Sequence, residues 1–173
     1  MRKLLILSTA ALALALTPAC TNKRAAPQTP AETVPTDAVP PGTDPADVEL
    51  TELPAMQADL VAKAGSDTVY FGTDKYDLDA ASQATLAAQA RWLLANPRVR
   101  ASIEGHADER GTREYNMALG ERRAAAARDY LLSQGVPANR LLVTSWGKER
   151  PVAAGSNEEA WAQNRRAVTV VVR

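Results

Sequence analysis

Past residue 66 the apolar positions fall into two periods, one of two residues and one of three to four, and the switches between them outline the elements. Val69 and Phe71 share one face of "DTVYFG" (67–72), which reads as a short strand. The stretch "TDKYDLDAASQATLAAQARWLLANP" turns helical: Asp77 or Asp79 can cap its start, Leu86, Ala90, Leu93 and Leu94 form the apolar stripe, and Pro97 forbids continuation. In "RVRASIEGHAD" (98–108), Val99, Ala101 and Ile103 alternate with Arg98, Arg100, Ser102 and Glu104, the pattern of a strand with one buried face. A long helix is expected from about Arg113 to Gln134, stopped by Gly135 and Pro137. "RLLVTSWG" (140–147) reads as a strand and "NEEAWAQN" (157–164) as a short helix. "RRAVTVVVR" (165–173) is a last strand with Val168, Val170 and Val172 on one face. Strand, helix, strand, helix, strand, short helix, strand predicts one α/β sandwich over 66–173, a four-stranded mixed sheet with its helices packed on it.

Upstream the pattern is different. "MRKLLILSTAALALALTPAC" has Arg2 and Lys3, an apolar run from Leu4 to Leu16, then small residues before the sole cysteine, Cys20. A run of that length is a secretory signal and too short for a membrane span. A single Cys in an exported chain cannot form an internal disulfide, so its place at the end of the signal points to chemical use. The segment resembles a bacterial lipoprotein signal, which implies residues 1–19 as signal peptide, cleavage between Ala19 and Cys20, and acylation of Cys20. Thr21 after the Cys resembles the outer-membrane class. Two or more acyl chains on one residue hold a bilayer stably where one does not.

From residue 20 to 54 the chain is expected to be a linker, with seven prolines and no aromatic residue among 21–54, a composition that cannot offset its own ordering entropy. Extended as polyproline II it would reach on the order of 100 Å. "AMQADLVAKA", ended by Gly65, reads as a short helix over 55–65 using Met56, Leu60 and Val61.

Charge narrows the functions. Lys plus Arg and Asp plus Glu both number 20, giving a formal charge of zero, so no general attraction to nucleic acid or a charged membrane surface is available. Binding must come from a local site. "EGHADERGTREYNMALGERRA" (104–124) holds the chain's one histidine among charged side chains. Glu104, His106 and Asp108 would share a face if the strand continued, and a metal or acid/base site is conceivable. No second His, catalytic serine turn or phosphate loop supports it. The plainer role for His106 is packing at the strand end with a bond to a neighbouring backbone or carboxylate group. Asp108 sits where the strand ends, beside a turn at Gly111, while Asn116, Leu119 and Arg123 share a helical face. Opposite charges brought to one opening suit a zwitterion whose ammonium meets Asp108 and whose carboxylate meets the fork of Arg123. An internal Asp108–Arg123 salt bridge, or simple solvation of the helix's charges, fits the spacing equally well.

"VYFGTDKYDL", this 104–124 stretch and "NRRAVTV" together resemble the OmpA-like peptidoglycan-binding domain family over residues 66 to 173. The resemblance implies a non-enzymatic module, without cofactor or metal, that grips the free end of meso-diaminopimelate in the peptidoglycan stem peptide. Asp108 would receive the ammonium and Arg123 the carboxylate. Asn116 and Leu119 would shape the pocket, Gly111 the turn, and backbone near Phe71 and Gly72 one wall. Arg122 lies about 100° from Arg123 on a helix, so only one of them can face the pocket. Arg165 and Arg166, with Asn164, are expected to fix the last strand's register rather than bind ligand. The family also implies protein partners, TolB and other Tol proteins, in envelope constriction and division. The implied whole is an outer-membrane lipoprotein facing the periplasm. An exported wall hydrolase or amidase, or an adaptor that binds only proteins, are the alternatives.

Overall fold

The computed structural model describes residues 45–172. The signal segment, Cys20 and the linker up to residue 44 lie outside the described residues. The elements are α1 (Pro45–Ala64), β1 (Thr68–Tyr70), α2 (Ala80–Ala95), β2 (Arg100–His106), α3 (Arg113–Ser133), β3 (Leu141–Gly147), α4 (Glu158–Asn164) and β4 (Arg166–Val172), with a 3₁₀ turn at Ala138–Arg140. One four-stranded sheet has the order β1-β4-β2-β3. β2 and β3 run parallel, joined by α3 as crossover, and the other pairings are antiparallel. This is the expected mixed sheet with its helices.

Local chemistry explains the boundaries. Asp79, not Asp77, caps α2 by accepting from the Ser82 amide at 2.7 Å, and Thr112 caps α3 through the Tyr115 amide. Leu94, expected on the α2 stripe, is exposed, and Trp92 is buried in its place. Its indole nitrogen donates to Asp59 on α1 at 2.7 Å.

α1 begins ten residues earlier than the expected 55–65 helix, inside the segment expected to be linker. Pro45 takes the first helical position, where a missing amide hydrogen costs nothing, and Pro54 is carried within the helix. Packing compensates: Leu60 is fully buried, and Leu53, Met56 and Ala64 lie against the core at helical spacing, whereas Val61 is exposed. Gln57 ties the helix to the sheet. Its amide nitrogen donates to the Thr169 carbonyl (3.0 Å) and its oxygen accepts from the Val171 amide (2.8 Å), satisfying the part of β4 that β1 is too short to pair.

The face of β4 turned to the core carries Ala167, Thr169 and Val171, while Val168, Val170 and Val172 are only half-buried on the other side. β2, expected to bury one face, is largely buried on both. The small residues have a cause. Gly105 on β2 lies beside Ala167 on β4 and directly under Gly120 of α3, so close that a Cβ on Gly105 would overlap the Gly120 carbonyl. This approach sets the depth of α3, and with it the position of Arg123 one turn further on. Gly105→Ala is expected to destabilise the domain by at least about 3 kcal/mol in urea unfolding, because backbone rather than a side chain must yield.

Candidate functional site

Three segments converge at the ends of β1 and β2: the loop 72–75, the turn 107–111 and the first turns of α3. Arg123 binds them together. It is fully buried, donating from Nε to the Lys75 carbonyl (2.8 Å), from Nη1 to that of His106 (2.8 Å) and from Nη2 to that of Gly72 (3.0 Å). The Phe71 ring lies 5.4 Å from its guanidinium carbon. Burial pushes its pKa down to about 10, with Asp108 the main charge acting the other way, so it remains a cation at neutral pH. Two of its five N–H groups are left over.

Asp108 is also buried, but its partners differ from those considered from the sequence. Arg110 donates to it from Nη2 (2.6 Å to Oδ2), Nε (3.1 Å to Oδ1) and the backbone amide (3.1 Å to Oδ1), and Arg165 Nη1 lies 3.5 Å from Oδ2. No Asp108–Arg123 salt bridge forms. Burial pulls the Asp108 carboxyl up, but the bonds and charge of Arg110, helped by Arg165, hold it below the usual carboxylate range. The cleft here is lined by Thr73, Asp74, Asp108, Arg110, Gly111 and Tyr115.

Of the residues read from the sequence, Asp108 and Gly111 line this cleft. Phe71 and Gly72 line the adjoining groove with Tyr70, Asp79, Ala162 and Gln163. Asn116, Leu119 and Arg123 lie buried on α3. Asn116 donates to the Arg110 carbonyl at 2.7 Å and so fixes the turn that carries Asp108. Gly72 leaves a possible side chain facing only the flexible Lys75 stem.

Arg165, expected to fix the last strand's register, ties β4 to the end of β1 and also reaches the cleft. It donates to the Phe71 carbonyl (3.0 Å) and to Glu158 (2.6 Å), while Nη1, buried near Asp108, lacks a hydrogen-bond partner. Asn164 and Arg166 stay with the strand and the 150–153 segment. Asp74 and Tyr115 were missed because their link is a cross-loop bond, Tyr115 hydroxyl to Asp74 carboxylate at 3.3 Å. The signal available was Asp74 itself, at φ 55°, a left-handed position that Asp tolerates.

The Glu104–His106–Asp108 trio does not assemble. Glu104 accepts from the Trp146 indole at 2.8 Å, and among the described residues no group of three His, Cys, Asp or Glu side chains is placed to hold a metal. His106 is buried at the strand end with Nδ1 unpartnered, and the backbone of Arg150 is the neighbouring group that its ring meets. Burial, then the charges of Arg166 and Arg150, push its pKa from 6.5 down to about 4. A folded pKa below the unfolded one gives stability that is complete above pH 6.5 and is lost as pH falls toward 4. His106→Gln is therefore expected to flatten the pH 4–6.5 segment of the urea-midpoint profile.

The domain is thus a four-stranded α/β sandwich with a charged cleft at the ends of β1 and β2, where Arg110 and Arg165 face Asp108. The chain belongs to the OmpA family, whose model matches residues 70–165. It is 56% identical over 118 residues to the "Peptidoglycan-associated lipoprotein" of Rhizobium meliloti, covering 68% of this chain and 66% of that protein, just under two thirds of the relative's length. The protein of the same name from Brucella melitensis is 52% identical over 68% of this chain and 70% of its own. The crystal structure of the peptidoglycan-associated lipoprotein from Burkholderia pseudomallei matches with a TM-score of 0.61 at 44% identity, over 62% of this chain and 92% of that one. The C-terminal domain of Helicobacter pylori MotB shares the fold at 20% identity, with a TM-score of 0.57 over 62% of this chain and 84% of that one.

Proposed function

We propose that this chain is a peptidoglycan-binding outer-membrane lipoprotein, anchored through acylated Cys20 and holding the wall by noncovalent capture of meso-diaminopimelate. The names of its relatives support the wall and the lipoprotein character. One observation carries the site: Asp108, at the rim of a cleft, stands among the guanidinium groups of Arg110, Arg123 and Arg165. A ligand ending in an ammonium and a carboxylate matches this charge set. Asp108 takes the ammonium, and the free N–H groups of Arg123 serve the carboxylate once the 72–75 loop yields. Asn116 and Leu119 support the two loops from below, and Phe71 and Gly72 form the wall beside them.

Charge-assisted bonds of roughly 1.5–3 kcal/mol each give modest affinity for one site, and many copies on one membrane make the tether effective. Through the linker the domain reaches the wall from the outer membrane. TolB and other Tol proteins are its proposed partners in envelope integrity and division.

Co-sedimentation with purified wall, followed by assay of the supernatant for soluble fragments, tests this reading. Retention by diaminopimelate-type wall with no fragment release is expected. Release of fragments supports a hydrolase instead, and lack of retention supports an adaptor for proteins alone.

A further inference from the structure

Arg110 occupies the carboxylate that the ligand's ammonium needs. Its fork covers both oxygens of Asp108, at 3.1 and 2.6 Å, and Nη2 also reaches Thr73 Oγ1 across the cleft at 3.4 Å. The guanidinium carbon lies 4.2 Å from the centre of the Trp161 ring, and that ring is fastened to the same turn by its indole bond to Glu109 at 3.0 Å. Arg110 is therefore a roof over Asp108, resting on an aromatic rail.

Among the three guanidinium groups only this one is free to move. Arg123 is committed to three carbonyls, and Arg165, with 7% of its side chain exposed, to Phe71 and Glu158. The Arg110 side chain is 39% exposed, and its bonds are to side chains at the cleft mouth. Stacking on Trp161 can hold its position while its hydrogen-bond partner changes.

We infer that Arg110 is a specificity-determining residue that exchanges partners on binding, releasing Asp108 to the ligand's ammonium and taking the ligand's carboxylate from the solvent side while stacked on Trp161. This rests on the proposed capture of a diaminopimelate zwitterion. One internal ion pair becomes two ligand pairs, so the charge of the cleft is unchanged. A ligand that brings an ammonium alone displaces Arg110 and takes away its hydrogen-bonded carboxylate without supplying another. The residue thus works against the wrong ligand as well as for the right one.

The test compares two stem peptides identical except for the third residue, diaminopimelate or lysine, titrated calorimetrically into the full chain and into Arg110→Gln and Arg110→Lys. Wild type is expected to prefer the diaminopimelate peptide by at least about 30-fold. Arg110→Gln is expected to weaken that peptide and bind the lysine peptide at least as well as wild type, compressing the preference by about tenfold or more. Arg110→Lys, which keeps the charge without the fork, is expected to fall between. Wild-type preference with an unchanged ratio in Arg110→Gln overturns this inference and leaves the site reading intact. Wild type that binds neither peptide overturns the site reading, and the inference with it.

Discussion

Asp108→Asn is expected to lose retention by diaminopimelate-type wall, with affinity for the stem peptide falling at least about 100-fold while the domain stays folded. The substitution keeps shape and removes charge. Asp108 is the cleft carboxylate paired with Arg110 and Arg165, so its neutral replacement leaves the incoming ammonium beside two guanidinium groups with only Asp74, on the opposite loop, to meet it. Folding should survive, because Arg165 keeps Glu158 and the Phe71 carbonyl, and Arg110 sits at the surface on Trp161. Circular dichroism and a melting curve beside the sedimentation assay separate loss of the site from loss of the fold.

Arg123→Ala has a larger expected effect, and on a different quantity. Spacing alone presents Arg123 as a ligand residue whose removal would spare the fold, but its three bonds to Gly72, Lys75 and His106 make it the joint between the 72–75 loop, β2 and α3. Truncation leaves those carbonyls short of a donor and opens a cavity in a fully buried position. A loss of about 3–5 kcal/mol is expected, which is a large share of the stability of a domain this size. Urea unfolding measures it. A midpoint close to wild type would show that water or a neighbour replaces the guanidinium at no cost.

Much of this was legible in the chain. Periodicity and stop signals mark β1 to β4 and α2 to α4 within a residue or two, because caps such as Asp79 and Thr112 and stops such as Pro97 and Gly135 act locally. α1 was read short because its prolines and acidic residues outweigh an apolar stripe whose value depends on a sheet it has yet to meet. Val168, Val170 and Val172 share one face of β4 as expected, but alternation alone does not say which face is inside. Val has high β-propensity on either face, and only the close seating of α3 at Gly105 decides that the small Ala167 belongs inside. In the site, the interval from Asp108 to Arg123 follows from strand-turn-helix geometry. The roles of Arg110 and Arg165 do not, since they depend on Trp161 and Glu158, far along the chain and brought near by the fold.

The central claim is that the cleft at Asp108 grips the zwitterionic end of diaminopimelate, and a crystal structure of the chain with a diaminopimelate stem peptide tests it most directly. The side-chain ammonium is expected about 3 Å from the Asp108 carboxylate, with its carboxylate within hydrogen-bond distance of Arg110 or Arg123. Peptide bound elsewhere on the domain, with the Asp108 cleft empty, would contradict it.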